Sequence, residues 1–201
     1  MLAELFRSLV APRCVMCGVA GGAMCEPCRS RLSPPIEEAR FAFVDRVLCP
    51  WDYDGAARQL ILDLKLRGLS AAADPLVDGM VDLALRRGVA ASWITWVPCR
   101  AADRRRRGFD HAEVLARGVA RRLGLPRSLV LTRVGAALDQ AGLGAAQRAR
   151  NLHGAFACGT IQGRVLLVDD LVTTGATASA CARALRASGA TGVEVIAACR
   201  A

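Results

Sequence analysis

Thirteen consecutive residues, Val165-Leu-Leu-Val-Asp-Asp-Leu-Val-Thr-Thr-Gly-Ala-Thr177, restrict what this chain can fold into more than any other feature. Four aliphatic residues in a row suit a strand buried on both faces, as in a parallel sheet covered by helices. Asp169 and Asp170 end the run, and Thr173-Thr174-Gly175-Ala176-Thr177 leads into a helical pattern over Ala176–Ala187. In open α/β sheets ligands bind beyond the carboxyl ends of the strands. A turn of hydroxyls and unpaired amides at a helix N-terminus suits a phosphate. Gly175 lets the backbone approach the anion closely. Two carboxylates just upstream would repel a phosphate but accept hydrogen bonds from vicinal hydroxyls. The combination describes a ribose 5-phosphate site. The plain alternative is a capped strand–turn–helix with a solvated acid pair, but two adjacent acids at the end of a buried strand are unfavourable without partners.

The flanking sequence alternates helical and strand signals. Asp54 is placed to cap a helix through about Leu66, with Leu60, Ile61 and Leu64 on its apolar side and Gly68 as its stop. Asp74-Pro75 reads as an N-cap followed by proline at the first helical position, and Gly88 ends that helix. Residues 93–97 read as a strand and 100–108 as a loop. His111–Leu123 reads as a helix closed by Gly124 and Pro126. Residues 129–131 and 193–198 read as strands, and 135–150, with no apolar stripe, as a loop. This order predicts an α/β domain with a mainly parallel sheet. Ser33-Pro34-Pro35 reads as a linker, since proline breaks both helix and ladder.

Nine cysteines are present, four of them close together as Cys14-Val-Met-Cys17 and Cys25-Glu-Pro-Cys28. Each C-x-x-C turn can offer two thiolates, and two turns give the closed tetrahedral sulfur set of a structural Zn²⁺ site. A redox pair or two disulfides are the alternatives; a redox motif needs only one pair and a thioredoxin-like setting, which is missing. Cys49, Cys158, Cys181 and Cys199 read as core filler, and Cys99 stands beside the arginine loop. The first eleven residues do not read as a signal peptide, because Glu4 and Arg7 interrupt them. Leu2, Leu5, Phe6 and Leu9 recur at helical spacing instead. No apolar run reaches the roughly 18 residues of a membrane span. The expectation is therefore a cytoplasmic protein with reduced thiols and no membrane insertion.

The net charge is +9, and Lys65 is the only lysine, so the positive charge is almost all guanidinium. That balance favours anionic partners without choosing among them. The cluster Arg104-Arg105-Arg106-Arg107-Gly108 follows Val97-Pro98, a strand end, where guanidinium groups can take phosphate oxygens bidentately. A solvated basic loop is the alternative reading.

The segment 165–177 resembles the phosphoribosyl pyrophosphate (PRPP) signature of type I phosphoribosyltransferases. The chain is similar to the ComF family along nearly its whole length. Tyr53-Asp54-Gly55, Lys65-Leu-Arg67-Gly68, Arg107-Gly-Phe109, the Asp139-Gln140…Arg148…Asn151 stretch and the Asp-Asp…Thr-Thr-Gly-Ala-Thr signature occur in that family's order. The resemblance implies a type I phosphoribosyltransferase fold over 36–201, with 36–90 as hood and first helices, and a helix and zinc knuckle over 1–35. It implies binding of PRPP or a ribose 5-phosphate compound with Mg²⁺, a transferase activity on an unknown acceptor, and a link to natural competence and DNA uptake. Asp169 and Asp170 would hold the ribose hydroxyls and Thr173, Thr174, Gly175, Ala176 and Thr177 the 5-phosphate. Arg104 to Arg107 with Gly108 would hold pyrophosphate, and Gln140 and Arg148 would reach in from a closing loop. Lys65 is either a site residue or an exposed helix-end lysine. Cys14, Cys17, Cys25 and Cys28 would hold structural Zn²⁺.

Two departures stand out. The family usually reads Arg-Gly-Phe-Asn-Gln where this chain has Arg107-Gly-Phe-Asp110-His111, so a negative charge is expected beside the pyrophosphate loop. Cys99 stands where an aliphatic residue is common. His111 and His153 show no partner in the sequence and read as ordinary histidines. A non-enzymatic alternative uses the arginine loop, the zinc knuckle and the +9 charge to bind single-stranded DNA alongside other competence proteins, with the PRPP pocket kept as a sensor. Aromatics are only 4%, which favours electrostatic binding over base stacking.

Overall fold

The aliphatic run at 165–168 lies inside a strand of ten residues, longer at both ends than the run itself. The computed structural model describes residues 13–20, 22–35, 39–68, 70–134 and 154–201. In chain order the elements are α1 (Glu26–Arg29), β1 (Arg46–Leu48), β2 (Trp51–Asp52), α2 (Gly55–Arg67), a 3-10 turn (Ser70–Ala72), α3 (Ala73–Arg86), β3 (Trp93–Trp96), α4 (Ala101–Arg107), α5 (His111–Leu123), β4 (Leu131–Arg133), β5 (Phe156–Cys158), β6 (Gly163–Val172), α6 (Ala176–Ala187) and β7 (Ala190–Arg200). The main sheet runs β1-β7-β6-β3, with β2 also on β7, and every pairing in it is parallel. A separate antiparallel pair joins β4 to β5.

Strand alternation divides the core in two. Leu166 and Val168 pack with Leu60, Leu64, Met80 and Leu115 of α2, α3 and α5. Val165 and Leu167 pack with Cys181 and Leu185 of α6 and with Leu131 and Phe156 of the β4–β5 pair. Helices thus cover both faces of the sheet, as the aliphatic run predicts. The same alternation sends Asp169 toward the α6 side and Asp170 toward the α2 and α5 side.

Several local expectations are corrected. Residues 101–107 form helix α4, not a loop. Asp103 pairs with Arg106 at 2.8 Å and Arg107 at 3.5 Å, and Gly108 closes the helix in the left-handed conformation at φ 81°. The strand expected at 129–131 lies at Leu131–Arg133 and pairs outside the parallel sheet. Asp74 sits in the first turn of α3 and is not its N-cap, because the 3-10 turn leads directly into the helix at Ala73. Asp54 stands at the N-cap of α2, though its side chain makes no cap bond. The last strand covers 190–200.

Cys14, Met24 and Cys28 of the N-terminal element join the core on the α2–α3–α5 side. Asp52 N–H donates to the Ser33 carbonyl at 2.9 Å, which ties the Ser33-Pro34-Pro35 segment to β2. Cys49, Cys181 and Cys199 are buried as core residues, whereas Cys99 and Cys158 are half-buried. The amphipathic pattern at 2–9 and the 135–150 stretch lie outside the described residues. So do Asp139, Gln140, Arg148, Asn151 and His153.

Candidate functional site

The carboxyl ends of β3 and β6 open on a cavity of about 270 Å³. Asp169, Asp170 and Leu171 line it from β6, and Val97, Pro98, Cys99 and Arg100 from the segment after β3. Asp103 and Arg107 reach it from α4, His111 from α5, Lys65 from α2, Arg133 from β4 and Thr177 from α6. Residues distant in sequence converge there because each stands at or near the same edge of the fold.

Asp170 is buried, with Oδ2 2.5 Å from Lys65 Nζ and 3.3 Å from His111 Nε2. Lys65 is thus engaged with the acid pair and is not a solvated helix end. Arg107 Nη1 lies 3.4 Å from His111 Nδ1. The ring thus stands between a guanidinium at Nδ1 and a carboxylate at Nε2. Burial holds the His111 pKa below its ordinary value, with Lys65 and Arg107 adding to the effect and Asp170 opposing it. The sequence gives no sign of this contact.

Asp169 is half-buried, and its Oδ1 accepts from Asp170 N–H at 2.9 Å. Burial and then the neighbouring Asp170 charge push its carboxyl well above the usual carboxylate range. An acid held this way favours a proton, a hydroxyl donor or a cation at its exposed oxygen.

Asp110 is not an open charge beside the arginines. It is buried and N-caps α5, its Oδ1 accepting from Ala112 N–H at 3.0 Å and Glu113 N–H at 3.4 Å. Its Oδ2 accepts from Cys99 N–H at 3.0 Å. Three backbone donors absorb the carboxylate and fix the segment after β3 against α5. Burial, with the Asp110 charge, pushes the Cys99 thiol up to about 11.

Of the four clustered arginines, Arg107 lines the cavity, with a buried Nε that has no hydrogen-bond partner among the described residues. Arg104, Arg105 and Arg106 are exposed along α4. A seven-residue helix cannot turn all four toward one side. Arg100 and Arg133 line the cavity as well. Arg133 was not among the expected site residues, and only the strand signal just before it marked its neighbourhood.

Gly175 takes φ 73° at the N-terminus of the twelve-residue α6. Thr173 and Thr174 are exposed there, and Ala176 and Thr177 are half-buried. Gly175 itself is covered by Phe41, and a Cβ there would lie 2.1 Å from the ring. The turn therefore requires glycine for both conformation and space.

The Sγ atoms of Cys14, Cys17, Cys25 and Cys28 all lie within 4.8 Å of one another, with Cys17 and Cys25 at 3.5 Å. Tetrahedral zinc–thiolate bonds of ~2.3 Å place sulfurs roughly 3.8 Å apart, so the four could hold one zinc ion. No helix among the described residues is long and apolar enough to cross a membrane.

Fold and site together define an α/β domain with a polar cavity at its strand ends and an appended four-cysteine element. No protein-family model matches the chain. It is 33% identical to DNA utilization protein YhgH of Salmonella typhi over 195 residues, which cover 93% of this chain and 83% of that protein. It is 34% identical to competence protein F of Haemophilus influenzae over 96 residues, 45% of this chain and 42% of that protein. Among solved structures, glutamine phosphoribosylpyrophosphate (PRPP) amidotransferase from B. subtilis, complexed with ADP and GMP, superposes with a TM-score of 0.43 and 26% identity. That superposition covers 62% of this chain and 26% of that one. The chain belongs to the ComF family, the family of DNA utilization protein YhgH and competence protein F.

Proposed function

We propose that this protein binds PRPP, or another ribose 5-phosphate compound, at the carboxyl ends of β3 and β6, and serves DNA utilisation in the cytoplasm as a phosphoribosyltransferase-like protein. The observation that carries the reading is the convergence on one cavity of the Asp169–Asp170 pair, Thr177 in the first turn of α6, and the guanidinium groups of Arg107 and Arg133. The turn from Thr173 to Thr177 takes the 5-phosphate through amides and hydroxyls. Asp169, held toward its protonated form, takes ribose hydroxyls. Asp170 is set by Lys65 and His111 and fixes the floor beside it. Arg107, whose Nε has no hydrogen-bond partner among the described residues, faces the diphosphate. The names of the relatives supply the link to DNA utilisation and competence.

The donor set is one of hard oxygens, and Asp169 favours a nearby cation, which suits Mg²⁺ shared with the ligand's own oxygens. Mg²⁺ bound there would neutralise diphosphate charge. Transfer from PRPP to an acceptor needs no protein nucleophile. The chain's part would be to align the two reactants and stabilise the leaving charge.

Calorimetric titration of PRPP, with and without Mg²⁺, tests the reading on wild type and on Asp169→Asn with Asp170→Asn. Mg²⁺-dependent binding that the double variant loses is expected. Folded, zinc-loaded wild type that binds no PRPP would remove the proposal. A second reading rests on the exposed guanidinium groups of Arg104, Arg105 and Arg106 on α4, charges suited to the phosphates of single-stranded DNA. Such binding should weaken steeply with salt and survive the double substitution.

A further inference from the structure

Arg133 ends β4 two residues after the buried Leu131, so both project from the same side of the strand. Its guanidinium is held at two points. Nε donates to the Pro98 carbonyl at 2.8 Å, and the guanidinium carbon lies 4.7 Å from the centre of the Phe156 ring. Phe156 is its register partner in the antiparallel ladder, so the stacking follows from strand pairing. Both Nη groups, by contrast, make no hydrogen bond or ion pair among the described residues. Elsewhere in the cavity Lys65 pairs with Asp170 and Arg107 with Asp103. A half-buried, permanently charged guanidinium whose outward donors meet no partner among the described residues is a natural seat for an anion. The two Nη groups form a planar fork that matches two oxygens of one phosphate.

We infer that Arg133 is an anion-binding residue of this cavity, taking one phosphate group through a bidentate contact on the α6 side of the sheet. The inference rests on the PRPP reading only for the larger ligand; in that reading the phosphate belongs to the diphosphate. Asp169 faces the same side, so the ribose hydroxyls and this phosphate lie along one wall of the cavity. Because Nε is tied to Pro98, Arg133 also fixes the segment after β3 to the β4–β5 pair.

The test is titration of inorganic pyrophosphate into the full, zinc-loaded chain, for wild type, Arg133→Gln, Arg133→Lys and Arg121→Gln. The last removes the same charge from an exposed position on α5, outside the cavity. Arg133→Gln should weaken pyrophosphate binding about 10-fold or more. Arg133→Lys should recover part of it, because the charge remains without the fork, and Arg121→Gln should leave it unchanged. Should Arg133→Gln unfold, wild type still decides: pyrophosphate should slow modification of Arg133 by phenylglyoxal, read by peptide mapping. Pyrophosphate binding unchanged in folded Arg133→Gln, no protection of Arg133, or no pyrophosphate binding by wild type would overturn the inference. Wild type that binds pyrophosphate through Arg133 but does not bind PRPP would leave this residue's role standing and end the PRPP reading instead.

Discussion

Asp169 combines two demands that pull against each other. Burial and the adjacent Asp170 charge raise its carboxyl well above the usual range, so the folded protein binds a proton there more tightly than the unfolded chain does. For such a group folding is favoured below the unfolded value of about 3.9, and stability is lost as pH rises toward and through the folded value. At neutral pH the ionised side chain therefore weakens the fold. Asp169→Asn keeps an oxygen for the Asp170 amide and removes the charge. It should make the protein more stable than wild type at pH 8, with the difference shrinking as pH falls toward about 4. Denaturant midpoints across that range would show it. A gain of equal size at every pH would mean that the charge at this position is not the cause. The same substitution should lose PRPP binding, so stability and ligand affinity would move in opposite directions, as expected of a site residue.

At the scale of elements, two helix glycines set how closely the α2–α3–α5 layer packs. A Cβ on Gly79 of α3 would lie 2.0 Å from the Trp51 ring, and one on Gly118 of α5 would lie 2.7 Å from Val77. Gly79→Ala should destabilise the protein by about 1–3 kcal/mol, the usual effect of overpacking, despite alanine's better helix propensity. Thermal melting that matches or exceeds wild type would show that Trp51 has room to turn aside. Helices α5 and α6 were legible from the sequence because an apolar stripe and a stop residue coincide in each. Helix α4 was not: it buries no residue, and its Asp103 pairs and Gly108 cap are what support it. β1 and β2 are three and two residues long, too short for any period to show. The glycine turn and acid pair were readable because they are contiguous. Lys65 and His111 on Asp170, and Arg133 beside Asp169, were not, because tertiary packing brings together residues that no local pattern links.

At the scale of the whole molecule, the four-cysteine element is not a loose appendage. Cys14 and Cys28 are buried in the same apolar cluster as Trp51, Leu76 and Met80, and Met24 joins them. Half-buried Val15, Met16 and Leu32 pack against that cluster. A zinc ion on the four sulfurs would therefore stabilise the domain through this shared core, by binding the folded state in preference to the unfolded one. Purified, reduced protein should contain about one zinc per chain, and much less would end the assignment. Removing the metal with a strong chelator should lower the main thermal transition itself, with no separate early melt. Free zinc at 1,000 times its dissociation constant contributes about 4 kcal/mol. At roughly 2–4 °C per kcal/mol for a chain of this size, the transition should fall by roughly 8–16 °C. Differential scanning calorimetry before and after chelation measures this directly. A main transition that stays in place while a small early one disappears would mean that the element and the sheet fold independently, and that the apolar contact between them contributes little to either.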